Sequence, residues 1–230
     1  MNTLDIRDIF ELMEKINLYE PYLIKYIMDL VFIPCYQGNY EYMRILPRKG
    51  EKNIRKSSFE GCNNLKMVLI DKSVVEIEDS AFSNCSKLNY IYIPNSVTSI
   101  GNYSFYECFS LEKLNIGNSV ISIGGCSFYD CRNLTEVRIP NSVTRIKYDA
   151  FAECTSLRKI ELGKSVKIIE VEAFEGCTSL NKIEIPASVQ EIEDYVFSNC
   201  VNLKKVIFNG KIDIKESVFE GCNILQNIKN

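Results

Sequence analysis

Two stretches decide the fold: IPNSVTSIGNYSFYECFSLEKLNI at 93–116 and IPNSVTRIKYDAFAECTSLRKIEL at 139–162. They share every apolar position and most of their turn residues. They lie two periods apart, and a third copy of the same frame fits between them. The frame is L-x-x-[ILV]-x-[ILV]-[PG]-x-S-V-x-x-I-x-x-x-x-F-x-x-C.

Working outward from these stretches, eight of the ten cysteines form one series: Cys62, Cys85, Cys108, Cys131, Cys154, Cys177, Cys200 and Cys222. The step from Cys62 to Cys85 recurs unchanged as far as Cys200 and shortens by one before Cys222. A phenylalanine precedes each by three residues, from Phe59 to Phe219, and a leucine follows by three, from Leu65 to Leu225. Pro94, Pro140 and Pro186 mark a turn that Gly117 and Gly163 fill in the intervening copies.

A fixed period of roughly 23 residues marks a solenoid, in which each unit buries its apolar face only against its neighbours. Within a unit, L-x-x-I-x-I alternates over its last residues and predicts a short strand with one inward face. Proline or glycine followed by serine predicts a turn, and S-V-x-x-I a second extended stretch. Phe and Cys at i and i+3 predict one face of a short helical turn. The expected fold is therefore an α/β solenoid with a parallel β-sheet and short helical turns.

The copies decay toward the start. Tyr42, Ile45 and Ile54 stand one period before Leu65, Val68 and Ile77 and predict a degenerate first coil over 36–58. Eight F-x-x-C-x-x-L repeats then run over 59–228. Residues 1–35 differ in kind. Ile6, Ile9, Phe10, Met13 and Ile16 recur at helical spacing, and Leu23, Ile24, Ile27, Leu30 and Val31 form a second stripe ended by Pro34. Asp5 suits a helix start and Pro21 a first helical turn. The expectation is a helical hairpin capping the first edge of the solenoid, which an exposed sheet end requires.

The repeat unit resembles the BspA-type leucine-rich repeat family, over roughly residues 54–228. The resemblance implies a curved solenoid that serves as a scaffold for protein contacts, often in adhesion, and it is specific for fold rather than for function. Exported members of that family start with a signal peptide. Here Asp5, Asp8, Glu11 and Glu14 fall where a basic start and an unbroken apolar core would be needed. Tyr22–Ile33 is too short to span a bilayer and carries Lys25 and Asp29. The expected location is cytoplasmic, or surface or secreted if the chain is a fragment.

Composition narrows the chemistry. The 230 residues include no histidine and no tryptophan, with 27 basic and 30 acidic side chains and a formal charge of −3. Without histidine there is no Ser-His-Asp or Cys-His nucleophile and no imidazole metal ligand. The charge balance argues against nucleic-acid binding as the main task. No CxxC pair occurs, so the cysteine ladder reads as small buried hydrophobes rather than as a metal or redox site. Cys126 lies off the ladder, at the position held by Ser80, Tyr103 and Asp149 in other coils, and is expected to be exposed. Arg44, Arg48, Lys49, Lys52, Arg55 and Lys56 surround Glu51 and read as a solvated basic loop, with contact to a phosphate or an acidic protein as the alternative. In the core, Phe128 and Phe151 should be intolerant of truncation, while their chain neighbours Tyr129 and Ala152 should tolerate change.

The informative variation lies at strand positions pointing away from the core. One column reads Met67, Tyr90, Lys113, Glu136, Lys159, Lys182, Lys205; its neighbour reads Leu69, Tyr92, Asn115, Arg138, Glu161, Glu184, Ile207. Met67, Leu69, Tyr90 and Tyr92 suggest an aromatic contact site, and Lys113, Arg138, Lys159 and Lys182 extend the candidate partner-binding surface. The competing readings are that the N-terminal region folds over this patch, or that tyrosine simply suits strands. The expected function is a non-enzymatic module that binds a protein through this face, with no catalytic, cofactor or metal residues, no nucleic acid and no membrane insertion. Alternatives are an adaptor whose N-terminal hairpin docks a larger complex while the repeats select cargo, a fragment of a surface adhesin, or an enzyme using carboxylates or Cys126.

Overall fold

A computed structural model of the chain describes residues 42–45 and 51–223. The expected hairpin over 1–35, Cys35 and the end of the last repeat lie outside the described residues. Each coil but the last contributes two strands. The longer ones are β1 (Tyr42–Ile45), β3 (Met67–Ile70), β5 (Tyr90–Tyr92), β7 (Lys113–Asn115), β9 (Glu136–Arg138), β11 (Lys159–Glu161), β13 (Lys182–Ile185) and β15 (Lys205–Phe208). The shorter ones are β2 (Asn53–Ile54), β4 (Glu76–Ile77), β6 (Ser99–Ile100), β8 (Ser122–Ile123), β10 (Arg145–Ile146), β12 (Ile168–Ile169) and β14 (Glu191–Ile192).

All pairing is parallel between successive coils. Val68 faces Ile91, which faces Leu114; Ile100 faces Ile123. The short strands form one seven-stranded sheet. The long strands pair in blocks, β1 to β7, then β9 with β11 and β13 with β15, and the strands flanking each break lie side by side. Equivalent repeat positions therefore stack along the solenoid axis. The first coil departs from the expected register. Met43, not Ile45, pairs with Val68, and Ile45 pairs with Ile70, while Ile54 keeps its partner Ile77. The connection between the two strands of that coil, around the basic loop, is longer than in later coils.

In the described coils from Phe59 to Phe197 the short helical turns expected around Phe and Cys are not found; the fold is a β-solenoid. Among the described residues one short 3-10 helix occurs, Glu216–Phe219 in the last coil, and no helix is long and apolar enough to cross a membrane. The reason is visible in the backbone hydrogen bonds. Ala81, Ser83 and Cys85 donate to Glu78, Ser80 and Phe82 of their own coil, as in tight turns. The intervening Ser80, Phe82 and Asn84 donate instead to Asn102, Ser104 and Tyr106 of the next coil. Two residues per segment, here Ser80 and Asn84, adopt positive φ, and Tyr103 and Glu107, Cys126 and Asp130, and Asp149 and Glu153 repeat the pattern. Left-handed residues break a helix, and alternate N–H groups are spent on the neighbouring coil. The segment thus forms a third ladder, a ridge along the edge of the solenoid.

Inside, the repeat generates continuous columns. Phe59, Phe82, Phe105, Phe128, Phe151, Phe174, Phe197 and Phe219 stack in a single file with ring centroids 5.1 to 5.7 Å apart and nearly parallel planes. Burying such a side chain stabilises by about 1.5–3 kcal/mol, and offset stacking adds to it. The ladder cysteines are free thiols, and Cys85 to Cys222 are buried. They do more than fill space. Each thiol donates to the carbonyl of the phenylalanine in the preceding coil: Cys108 to Phe82 at 3.3 Å, Cys154 to Phe128 at 3.3 Å, Cys200 to Phe174 at 3.2 Å. Ala152, expected to tolerate change, is fully buried, whereas Tyr129 is half-buried and stacks on Tyr106.

The turn residues also act between coils. Asn95 Oδ1 accepts the backbone N–H of Asn118 at 2.7 Å, and Asn141 Oδ1 that of Lys164 at 2.8 Å. Glycine alternates with proline for a steric reason: a Cβ at Gly163 would collide with the Pro140 carbonyl of the coil before it.

Candidate protein-binding face and an acidic ridge

Alternation along the long strands places Val68, Ile91, Val137, Ile160 and Ile183 in the core and sends their neighbours outward. All eight candidate binding residues fall on this one sheet face. Register brings four of them into a compact block, with Met67 beside Tyr90 and Leu69 beside Tyr92. Lys113 lies next to Tyr90 on the following strand. These four apolar and aromatic side chains are half-buried, whereas Lys113, Arg138, Lys159 and Lys182 are exposed. Farther along, charges pair on the face itself. Lys159 Nζ lies 2.5 Å from Glu161, Lys182 Nζ 2.7 Å from Glu184, and Arg138 Nε 3.8 Å from Glu161. Such exposed pairs are screened by solvent and contribute little. The sequence columns missed two further cations near this face, Arg158 and Lys204. Arg158, Lys204 and Lys205 are exposed, and the first two precede the strands, at a repeat position outside the two columns.

Cys126 is not exposed as expected. It is 7% accessible, and its thiol is directed to Asp149 Oδ2 at 3.8 Å. Burial pushes that thiol up to about 11, so it is protonated and unreactive at neutral pH. Of the basic loop, Arg55 pairs with Glu51, and Lys52 and Lys56 are exposed.

The ridge carries a feature the sequence reading overlooked. The turn segments 79–84, 102–107, 125–130, 148–153, 171–176, 194–199 and 216–221 contain ten carboxylates and no lysine or arginine. Carboxylate oxygens of Asp149, Glu172 and Glu175 lie within 4.8 Å of one another, all half-buried. Burial first, and then Glu172 and Glu175, push the Asp149 carboxyl up to about 6; burial, followed by Glu172, also raises Glu175. Two coils earlier on the ridge, the Tyr103 and Tyr106 phenols are each pushed up to about 12, Tyr103 mainly through its hydrogen bond with Cys126 and Tyr106 mainly through burial. The signal was available: Asp149 and Glu172 occupy one repeat position in adjacent coils, and stacked coils make such positions neighbours.

The comparisons with known proteins agree with this architecture. Residues 52–170 and 121–229 match the model of the BspA type leucine rich repeat region, in six copies. A leucine-rich repeat protein from Bacteroides ovatus is 30% identical over 80% of this chain and 50% of its own, with a TM-score of 0.69. A leucine rich cell surface protein from Faecalibacterium prausnitzii is 32% identical over 76% of this chain and 49% of its own, with a TM-score of 0.67. The T. pallidum leucine rich repeat protein is 29% identical over 73% of this chain and 80% of its own, with a TM-score of 0.66. The chain thus spans about half the length of the first two. No curated protein matches it. With its uninterrupted frame of Leu, Ile, Val, Phe and Cys columns, the chain belongs to the BspA-type leucine-rich repeat family.

Proposed function

We propose that the protein is a non-enzymatic interaction module that binds a protein partner through the long-strand sheet face. One observation carries this reading: inward positions repeat nearly unchanged from coil to coil, while the outward positions of the same strands run from Met67, Leu69, Tyr90 and Tyr92 to mixed charges. A sequence maintaining only its fold has no need of a graded outer face, and extended repeat surfaces of this kind serve as binding platforms. The absence of histidine and the general lack of catalysis in leucine-rich repeat arrays support a binding role over an enzymatic one.

Aromatic side chains carry a disproportionate share of interface energy. The test is chemical cross-linking and capture in the source cell, followed by affinity measurement with the recovered protein. Tyr90→Ala with Tyr92→Ala should weaken binding by at least about tenfold, or about 1.4 kcal/mol, with a normal melting curve. Unchanged affinity in a normally folded double variant would remove this patch from the interface.

A further inference from the structure

The far end of the sheet face differs from its beginning in charge. Arg158 and Lys159, then Lys182, then Lys204 and Lys205 are exposed on three successive coils. They form a basic stripe running along the solenoid axis. Lys182 and Lys205 are direct cross-strand partners in the parallel register, so two ammonium-bearing chains start about 4.8 Å apart, an arrangement that costs energy when uncompensated. In β11 and β13 a glutamate two residues on, Glu161 or Glu184, answers the lysine. In β15 that position is Ile207. Arg158, Lys204 and Lys205 form no ion pair among the described residues. This excess sits on a chain of net charge −3 and on a different edge of the coil from the ridge, whose turn segments between 79 and 221 carry ten acids.

We propose that the stripe receives an acidic, extended segment of the protein partner, laid along the solenoid axis across β11, β13 and β15. The inference rests on the sheet face being the binding surface. It favours a protein over a uniform polyanion for a local reason: the Glu161 and Glu184 row lies beside the lysine row. A nucleic acid or sulfated glycan engaging one row meets repulsion from the other. A polypeptide can set carboxylates over the lysines and an apolar side chain over half-buried Ile207. The acidic ridge repels the same segment, so charge alone selects the face and sets the approach.

The experiment measures fluorescence anisotropy of a labelled peptide of glutamates interspersed with leucines at low ionic strength. Heparin oligosaccharide and single-stranded oligothymidylate serve as competing probes. The peptide should bind the parent protein, and Lys182→Glu with Lys205→Glu should weaken it at least about tenfold. Lys204→Glu with Lys205→Glu should act in the same direction, and Lys167→Glu, exposed beside the short-strand sheet, should leave binding unchanged. Melting curves accompany each variant. Absent binding to the parent, equal binding to the stripe variants, or tighter binding of heparin or oligothymidylate than of the peptide would overturn the proposal. A captured partner that depends on Tyr90 and Tyr92 but ignores the Lys182 and Lys205 changes would sink this inference alone. A partner indifferent to the entire sheet face would sink both.

Discussion

Phe151 and Asp149 lie two residues apart in one turn segment and obey opposite rules. Phe151 is fully buried between Phe128 and Phe174, its rings 5.1 and 5.6 Å from theirs. Asp149 lies on the ridge within reach of Glu172, the residue at the same position one coil later. In-register stacking amplifies whatever the repeat puts at a position. An apolar ring repeated once per coil gains a packing partner on each side. A carboxylate repeated at the same interval gains a like charge. The same geometry that makes the interior a continuous column sets acids of the ridge side by side, although Arg132 answers Asp130 and Lys215 answers Asp194 from its margin.

The largest effect should come from breaking the interior column. Phe151→Ala removes a ring from the middle of the stack and should cost about 3–5 kcal/mol, read as a fall in thermal or denaturant midpoint. Tyr129→Ala, on the half-buried outer file, should cost distinctly less. Equal losses for the two would erase the distinction between column and ridge.

Next in size, and opposite in sign, is Asp149→Asn. The folded-state carboxyl titrates near 6, above the value of about 4 in an unfolded chain. The folded state therefore holds this proton more tightly. The group favours folding below about pH 4, and that contribution is lost as pH rises through about 6. Asp149→Asn should raise stability at neutral pH by about 1–2 kcal/mol once solvent screening of a partly exposed group is allowed for. The advantage over the parent should vanish in acid. A variant less stable than the parent at neutral pH would show that Asp149 is a structural acceptor rather than a repelled charge.

The smallest effect concerns thiol access. Cys62 is half-buried at the start of the ladder, while Cys85 through Cys222 and Cys126 are buried. Peptide mapping after alkylation of the native protein should show Cys62 labelled ahead of these others. Their protonated thiols point to backbone carbonyls or, for Cys126, to Asp149. Early labelling of Cys126 would return it to the exposed surface that its repeat position had suggested.

What the sequence determined by itself was the periodic part. The period, the inward columns from Leu65 to Phe219, the two extended stretches per unit and the single face shared by Met67, Tyr90 and Lys182 all follow from spacing. Each depends on one residue type recurring at one interval, which a linear string displays. The tertiary structure decided what depends on contacts between coils. It alone showed that the N–H groups of Ser80, Phe82 and Asn84 are taken by the next coil, so that an i, i+3 pattern that looks helical becomes a ladder. It placed the Cys126 thiol against Asp149 rather than in solvent, and set Met43 rather than Ile45 opposite Val68. It also gathered Asp149, Glu172 and Glu175 into one cluster and set Lys205 beside Lys182 without a mate like Glu184. Hydrogen bonds and charge pairs form between residues about a full period apart, and their balance depends on which neighbour the stacking supplies.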